Sequence, residues 1–153
     1  MLGKRTGRFH PWIEVERLRL FEVIRGKLQP VVEGSLRVKL GGRTEYVAAE
    51  GEGPVRTLFM VLKDALLEEE AGLGELAGYV RALSLKAVRV RTFYPRGTRE
   101  LKARVTITLA DGERSFTTIG ISGDLIQAVW QALLDGMEYG LYTEAERRNL
   151  VLS

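Results

Sequence analysis

Cysteine is absent from the 153 residues, and histidine occurs once, as His10. The first absence excludes disulfides, thiolate metal centres and cysteine nucleophiles; the second argues against a histidine-built metal site or a Ser-His triad. No apolar run approaches the about eighteen residues a membrane helix needs, and the charged opening MLGKRTGRF lacks the apolar segment of a signal peptide. Together these imply a cytoplasmic protein with no membrane partner. Neither GxGxxG nor GxxxxGK[ST] occurs, so the loops that cradle nucleotide phosphates are missing. Glu50, Glu52 and Asp124 read as turn residues, caps and solvated charges rather than a hydrolytic pair. The expectation is no catalytic residue, no metal site and no cofactor.

Charge of one sign is also lacking. The 23 basic residues are set against 20 acidic ones and spread along the chain, which gives a net +3 and reads as a solvated surface of mixed charge. A nucleic-acid role would rest on the basic start together with Arg89, Arg91, Arg96 and Arg99, but no aromatic stacking platform or RNA motif accompanies them. With 45% hydrophobic residues the chain suffices for one compact domain or two small units sharing a core.

What is present is a repeat. Val15, Leu18, Leu20 and Val23 lie in a β-favouring run, and Leu85, Val88, Val90 and Phe93 hold the matching places 70 residues on. SLRVKL alternates Leu36, Val38 and Leu40, and RVTITL alternates Val105, Ile107 and Leu109, so each run offers one apolar face. Gly41-Gly42 and Asp111-Gly112 follow, residues favoured in two-residue hairpins with positive φ. Third strands come next, TEYVAAE and RSFTTIG. In the helices that complete each half, Val55, Phe59, Leu62 and Asp64 match Ile126, Trp130, Leu133 and Asp135 at a constant offset of 71. Phe59, Met60, Trp130 and Met137 read as core or subunit contacts.

The pattern predicts an α+β fold of tandem duplicated βββα units, each an antiparallel sheet covered by a helix. The boundaries read as a basic arm over 1–13, a first unit over 14–70, a connector over 71–83, a second unit over 84–141 and a tail over 142–153. Gly72, Gly74 and Gly78 limit the connector to at most a short helix, and Thr143 is placed to cap a final short turn in the tail.

In both halves a strand delivers the chain to a helix start, where four amides lack internal partners and the dipole is positive, a setting that suits a carboxylate or phosphate. In the first half Gly51 and Gly53 permit close approach, and Pro54 suits the first helical position. In the second, Ser122 or Asp124 can cap the helix itself.

TEYVAAEGEGPVRTLFMVLKDAL and TTIGISGDLIQAVWQALLDGMEYGL resemble, in order, the two motif segments of the C-terminal regulatory domain of the α-isopropylmalate, (R)-citramalate and homocitrate synthase family. The tryptophan and final tyrosine of the second segment tilt the resemblance toward the citramalate branch, and it covers most of residues 14 to 141. It implies a duplicated βββα domain that dimerises and binds leucine or isoleucine as feedback effector. The effector site it implies comprises Gly51, Glu52, Gly53, Pro54, Val55, Val88, Gly120, Ile121 and Ser122. The family's catalytic TIM barrel needs about 250 residues and does not fit in this chain. The expectation is therefore a regulatory module rather than an enzyme, with a separately encoded catalytic subunit as a candidate partner. This sequence departs from the family at Glu52, where asparagine is usual, and at Ala87-Val88, where Asp-Tyr is usual. A purely structural dimerisation module with a decayed effector site is the alternative.

Overall fold

Alternation at every second position decides which face of each strand is buried. In the computed structural model, which describes residues 13–68 and 73–150, Val32, Gly34, Leu36, Val38 and Leu40 of one strand are buried while Glu33, Arg37 and Lys39 between them are exposed. That strand is β2 (Val31–Leu40), the centre of an antiparallel sheet between β1 (Ile13–Val23) and β3 (Arg43–Gly51). Helix α1 (Pro54–Leu67) covers the apolar face with Leu58, Val61, Leu62, Ala65 and Leu66, all nearly without solvent contact. Each such leucine contributes about 1.5–3 kcal/mol of burial. A short helix, α2 (Leu76–Ala82), follows in the connector.

The second half repeats the plan. Strands β4 (Ser84–Phe93), β5 (Lys102–Ala110) and β6 (Ser115–Ser122) form a separate antiparallel sheet in chain order, and helix α3 runs over Leu125–Arg147. Val105, Ile107 and Leu109 of β5 are buried with Ala128, Val129, Ala132, Leu133 and Met137 of the helix. The α+β architecture of duplicated βββα units is thus present. The chain divides into two compact units, 1–81 with 141–153, and 82–140.

The likeness reaches the irregularities. β1 carries a bulge between Val15 and Arg17, and β4 carries one between Leu85 and Ala87, the same place 70 residues on. Each unit also ties helix to sheet through a threonine, in opposite senses. Thr57 of α1 donates to the Val32 carbonyl at 3.3 Å, whereas Thr118 of β6 donates to the Ala132 carbonyl of α3 at 2.6 Å.

Two expectations need correcting. Gly41-Gly42 does form a two-residue turn with positive φ, 55° and 87°, between the paired Leu40 and Arg43. The second hairpin instead closes at Ala110 and Ser115, with a four-residue loop. There the Asp111 carboxylate accepts from the amides of Glu113 and Arg114, at 2.9 and 2.8 Å, and this side-chain turn replaces the tighter one. The final helix also does not stop where a tail was expected. It continues through Thr143, which lies inside it, because Leu141, Glu144 and Ala145 are buried on its last turns. The basic arm, apart from Ile13, lies outside the described residues.

Candidate functional site

The nine residues implicated from sequence fall in two sets, Gly51 to Val55 in the first unit, and Val88 with Gly120 to Ser122 in the second.

β3 ends at Gly51, and a side chain there would stand 2.6 Å from Thr57 Oγ1, so only glycine lets the strand pass directly under the helix start. Gly53 is the N-cap of α1, in extended backbone, and no side chain caps the helix. Pro54 fills the first turn without an N–H, and the first intrahelical bond runs from Thr57 N to the Gly53 carbonyl at 3.0 Å. The amides of Val55 and Arg56 therefore have no partner within the helix, and no acidic residue occupies the first turn. Val55 is half-buried beside them, and Glu52 is exposed. One half-buried valine next to uncapped amides at the positive end of a helix suits an anionic group on a small aliphatic body.

The corresponding start of α3 is closed by its own side chains. Asp124 Oδ1 accepts from Gln127 N at 3.0 Å, while Ser122 Oγ accepts from Asp124 N and donates to Gln127 Oε1, both at 3.1 Å. This is a capping box whose reciprocal half is relayed through the Ser122 hydroxyl. Gln131 Oε1 takes the Ile121 amide at 3.2 Å. Sequence reading named Ser122 and Asp124 as caps but missed Gln127 and Gln131; glutamine three residues after an Asp cap was the available signal.

Gly120 is buried, and a Cβ on it would collide with the Ala128 carbonyl of α3, so it carries the close approach of helix to sheet. Ile121 is 46% exposed on the opposite face of β6, and Val88 is half-buried in β4. Of the second set, Val88, Ile121 and Ser122 are therefore the positions with accessible surface. Phe59, Trp130 and Met137 are buried in the core, while Met60 is exposed.

Farther along α1, the Lys63 ammonium sits 5.4 Å from the centre of the Phe59 ring and donates to the Arg81 carbonyl at 3.1 Å. Burial holds its pKa below the ordinary lysine value, with neighbouring Asp64 pulling it back up. Burial likewise raises the Asp64 carboxyl, opposed by Lys63. These are helix-flank interactions away from the turn. Among the described residues no cluster of His, Asp and Glu could hold a metal ion, and no helix is long and apolar enough to cross a membrane.

Comparison with known proteins matches this arrangement. The chain is 39% identical over 119 residues to an (R)-citramalate synthase of Geobacter sulfurreducens, covering 77% of this chain and 21% of that protein. It is 33% identical over 117 residues to the (R)-citramalate synthase of Aquifex aeolicus, 76% of this chain and 21% of the relative. The corresponding enzyme of Streptomyces coelicolor is 33% identical over 135 residues, 88% of this chain and 24% of the relative. The chain thus spans only a fifth to a quarter of the length of these synthases. With residues 7–141 matching the model of the LeuA allosteric (dimerisation) domain, and with two βββα units in the structure, the chain belongs to that domain family.

Proposed function

We propose that this chain is a regulatory module that binds a branched-chain amino acid, leucine or isoleucine, as a feedback effector and pairs with a second copy of itself. The observation that carries the reading is the uncapped start of α1. The Val55 and Arg56 amides lie next to Gly51 and Gly53, and among the described residues no side chain caps them. The effector's carboxylate docks on those amides, and Val55 receives part of its branched side chain. Glu52, exposed beside the turn, takes the ammonium group and disfavours any ligand with a second negative charge. In the second unit, taken by itself, Val88 and Ile121 are the accessible aliphatic positions of the implied set, while the Ser122 hydroxyl is engaged in capping α3. No catalytic role is assigned to any residue, and the module acts on a synthase catalytic domain, in the same polypeptide or a separate one.

Isothermal titration with leucine, isoleucine and valine tests this directly. Saturable heat with one or two of the three is the expected result. A micromolar site corresponds to about 8 kcal/mol, within reach of one aliphatic contact and a few charge-assisted hydrogen bonds. The absence of heat at millimolar ligand rejects effector binding.

A second reading, a structural dimerisation module with a decayed effector site, is favoured by Glu52 and by the Ala87-Val88 pair, which offer neither an amide nor an acid and a polar ring. It requires a dimer in light scattering whose melting temperature ignores all three amino acids. True binding at a hundredfold excess over Kd adds about 2.7 kcal/mol.

A further inference from the structure

The sheets of the two units share a topology but not a charge. β1, β2 and β3 carry six acidic residues (Glu14, Glu16, Glu22, Glu33, Glu45, Glu50) against five basic ones (Arg17, Arg19, Arg37, Lys39, Arg43), a net of −1. β4, β5 and β6 carry no acidic residue and five basic ones (Lys86, Arg89, Arg91, Lys102, Arg104), a net of +5. The difference is concentrated on the sheet face pointing away from the helix. There Arg91 pairs directly across from Arg104, and Arg89 directly across from Thr106. In the first unit the matching pairs are Phe21 with Glu33 and Arg19 with Ser35.

Like charges placed directly opposite on neighbouring strands are destabilising. The first sheet relieves its own case. Arg17 faces Arg37, and the bulge residue Glu16 reaches Arg37 at 3.0 Å and Lys39 at 4.0 Å. The residue at the same bulge of β4 is Lys86, which adds charge where Glu16 removes it. Among the described residues Arg89, Arg91 and Arg104 make no ion pair. Together with Val90 and Thr106 they line a depression of about 500 Å³, within the size range of small-molecule sites.

We propose that this face of the second sheet binds a multivalent oxyanion of the phosphate class, as inorganic phosphate or as the phosphate end of a small ester. The guanidinium groups of Arg91 and Arg104 present forked donors that match phosphate oxygens, Arg89 adds a third, and the Thr106 hydroxyl is a neutral donor between the strands. The bound anion neutralises the Arg91–Arg104 repulsion that the strands themselves leave standing. This site belongs to the second unit alone, and its existence does not depend on amino-acid binding at the start of α1.

Calorimetric titration of the full chain with inorganic phosphate and pyrophosphate in low-chloride buffer is the test. Saturable binding is expected, tighter for pyrophosphate and weakened by salt. Arg91→Gln and Arg104→Gln should each weaken it by about tenfold or more, the loss of at least one charge-assisted hydrogen bond. Arg37→Gln on the first sheet should leave it unchanged. Without phosphate, the two β4–β5 variants should melt no lower than the native chain, because each removes a like-charge contact, and this separates loss of a ligand from loss of the fold. The proposal is overturned by any of three results: no saturable heat at millimolar pyrophosphate, equal weakening in Arg37→Gln, or binding confined to long polyanions such as heparin or oligonucleotides.

Discussion

The two halves solve one packing problem with the residues exchanged. In the first unit Gly34 lies on the central strand across from Ala49 on β3; in the second, Val105 lies on the central strand across from Gly120 on β6. A side chain added at Gly34 would press on side-chain methyls of Thr57, Val61 and Leu20 at 2.9 to 3.3 Å, whereas one at Gly120 would strike the backbone of α3. Gly34 and Gly120 each mark a close approach of helix to sheet, and α1 approaches β3 as well, at Gly51. The helix starts divide in the same way, α3 sealed by Ser122, Asp124 and Gln127, and α1 left open. The two halves share the scaffold and differ at the helix starts and in the charge of their strands.

Breaking the packing contrast gives the largest effect. Gly120→Ala is expected to cost about 3 kcal/mol or more, read as a fall in thermal midpoint, because a helix backbone cannot move aside as a side chain can. Next come Leu62→Ala and Leu133→Ala, at matching positions and both fully buried, each expected to lose about 2–5 kcal/mol. Similar losses support equivalent cores, and a large disparity refutes that equivalence. Gly34→Ala should cost less than Gly120→Ala, about 1–2 kcal/mol, since only side-chain atoms must give; equal costs would undo the contrast. Asp124→Ala should remove about 1 kcal/mol by uncapping α3. The subtlest is Gly53→Ser, where extended backbone and open space admit a side chain. It should leave stability equal or raised by a few tenths of a kcal/mol while weakening leucine or isoleucine binding, because the new hydroxyl takes an amide the carboxylate needs. Unchanged affinity would remove the start of α1 from the effector site.

Periodicity carried much of this fold in plain view. Alternating Leu36, Val38 and Leu40, the offset of 71 between the helices and the Gly41-Gly42 turn all follow from local rules that tertiary packing does not override. Asp111-Gly112 misled because the same dipeptide serves a two-residue turn and a longer loop organised by the aspartate side chain, and which one forms depends on where the strands stop pairing. Thr143 misled because a capping residue looks the same inside a helix when burial of Leu141 and Ala145 carries the helix past it. At the candidate site, the open cap of α1 was legible from Gly-Pro. The packing role of Gly120 was not, since a glycine that admits a ligand and one that admits a helix are identical in sequence. The uncompensated arginines were visible singly, but their alignment across β4 and β5 required the register.

Among the described residues, every strand in either sheet pairs only with the strand next to it in the chain. Loop closures are therefore short, the entropic barrier to zipping each sheet is low, and assembly should be fast for a β-rich chain. The first sheet and α1 are complete by residue 67, so they can form during synthesis while the copy is still being translated. A segment that assembles from its own neighbours in this way can be doubled without competing for its twin's strands.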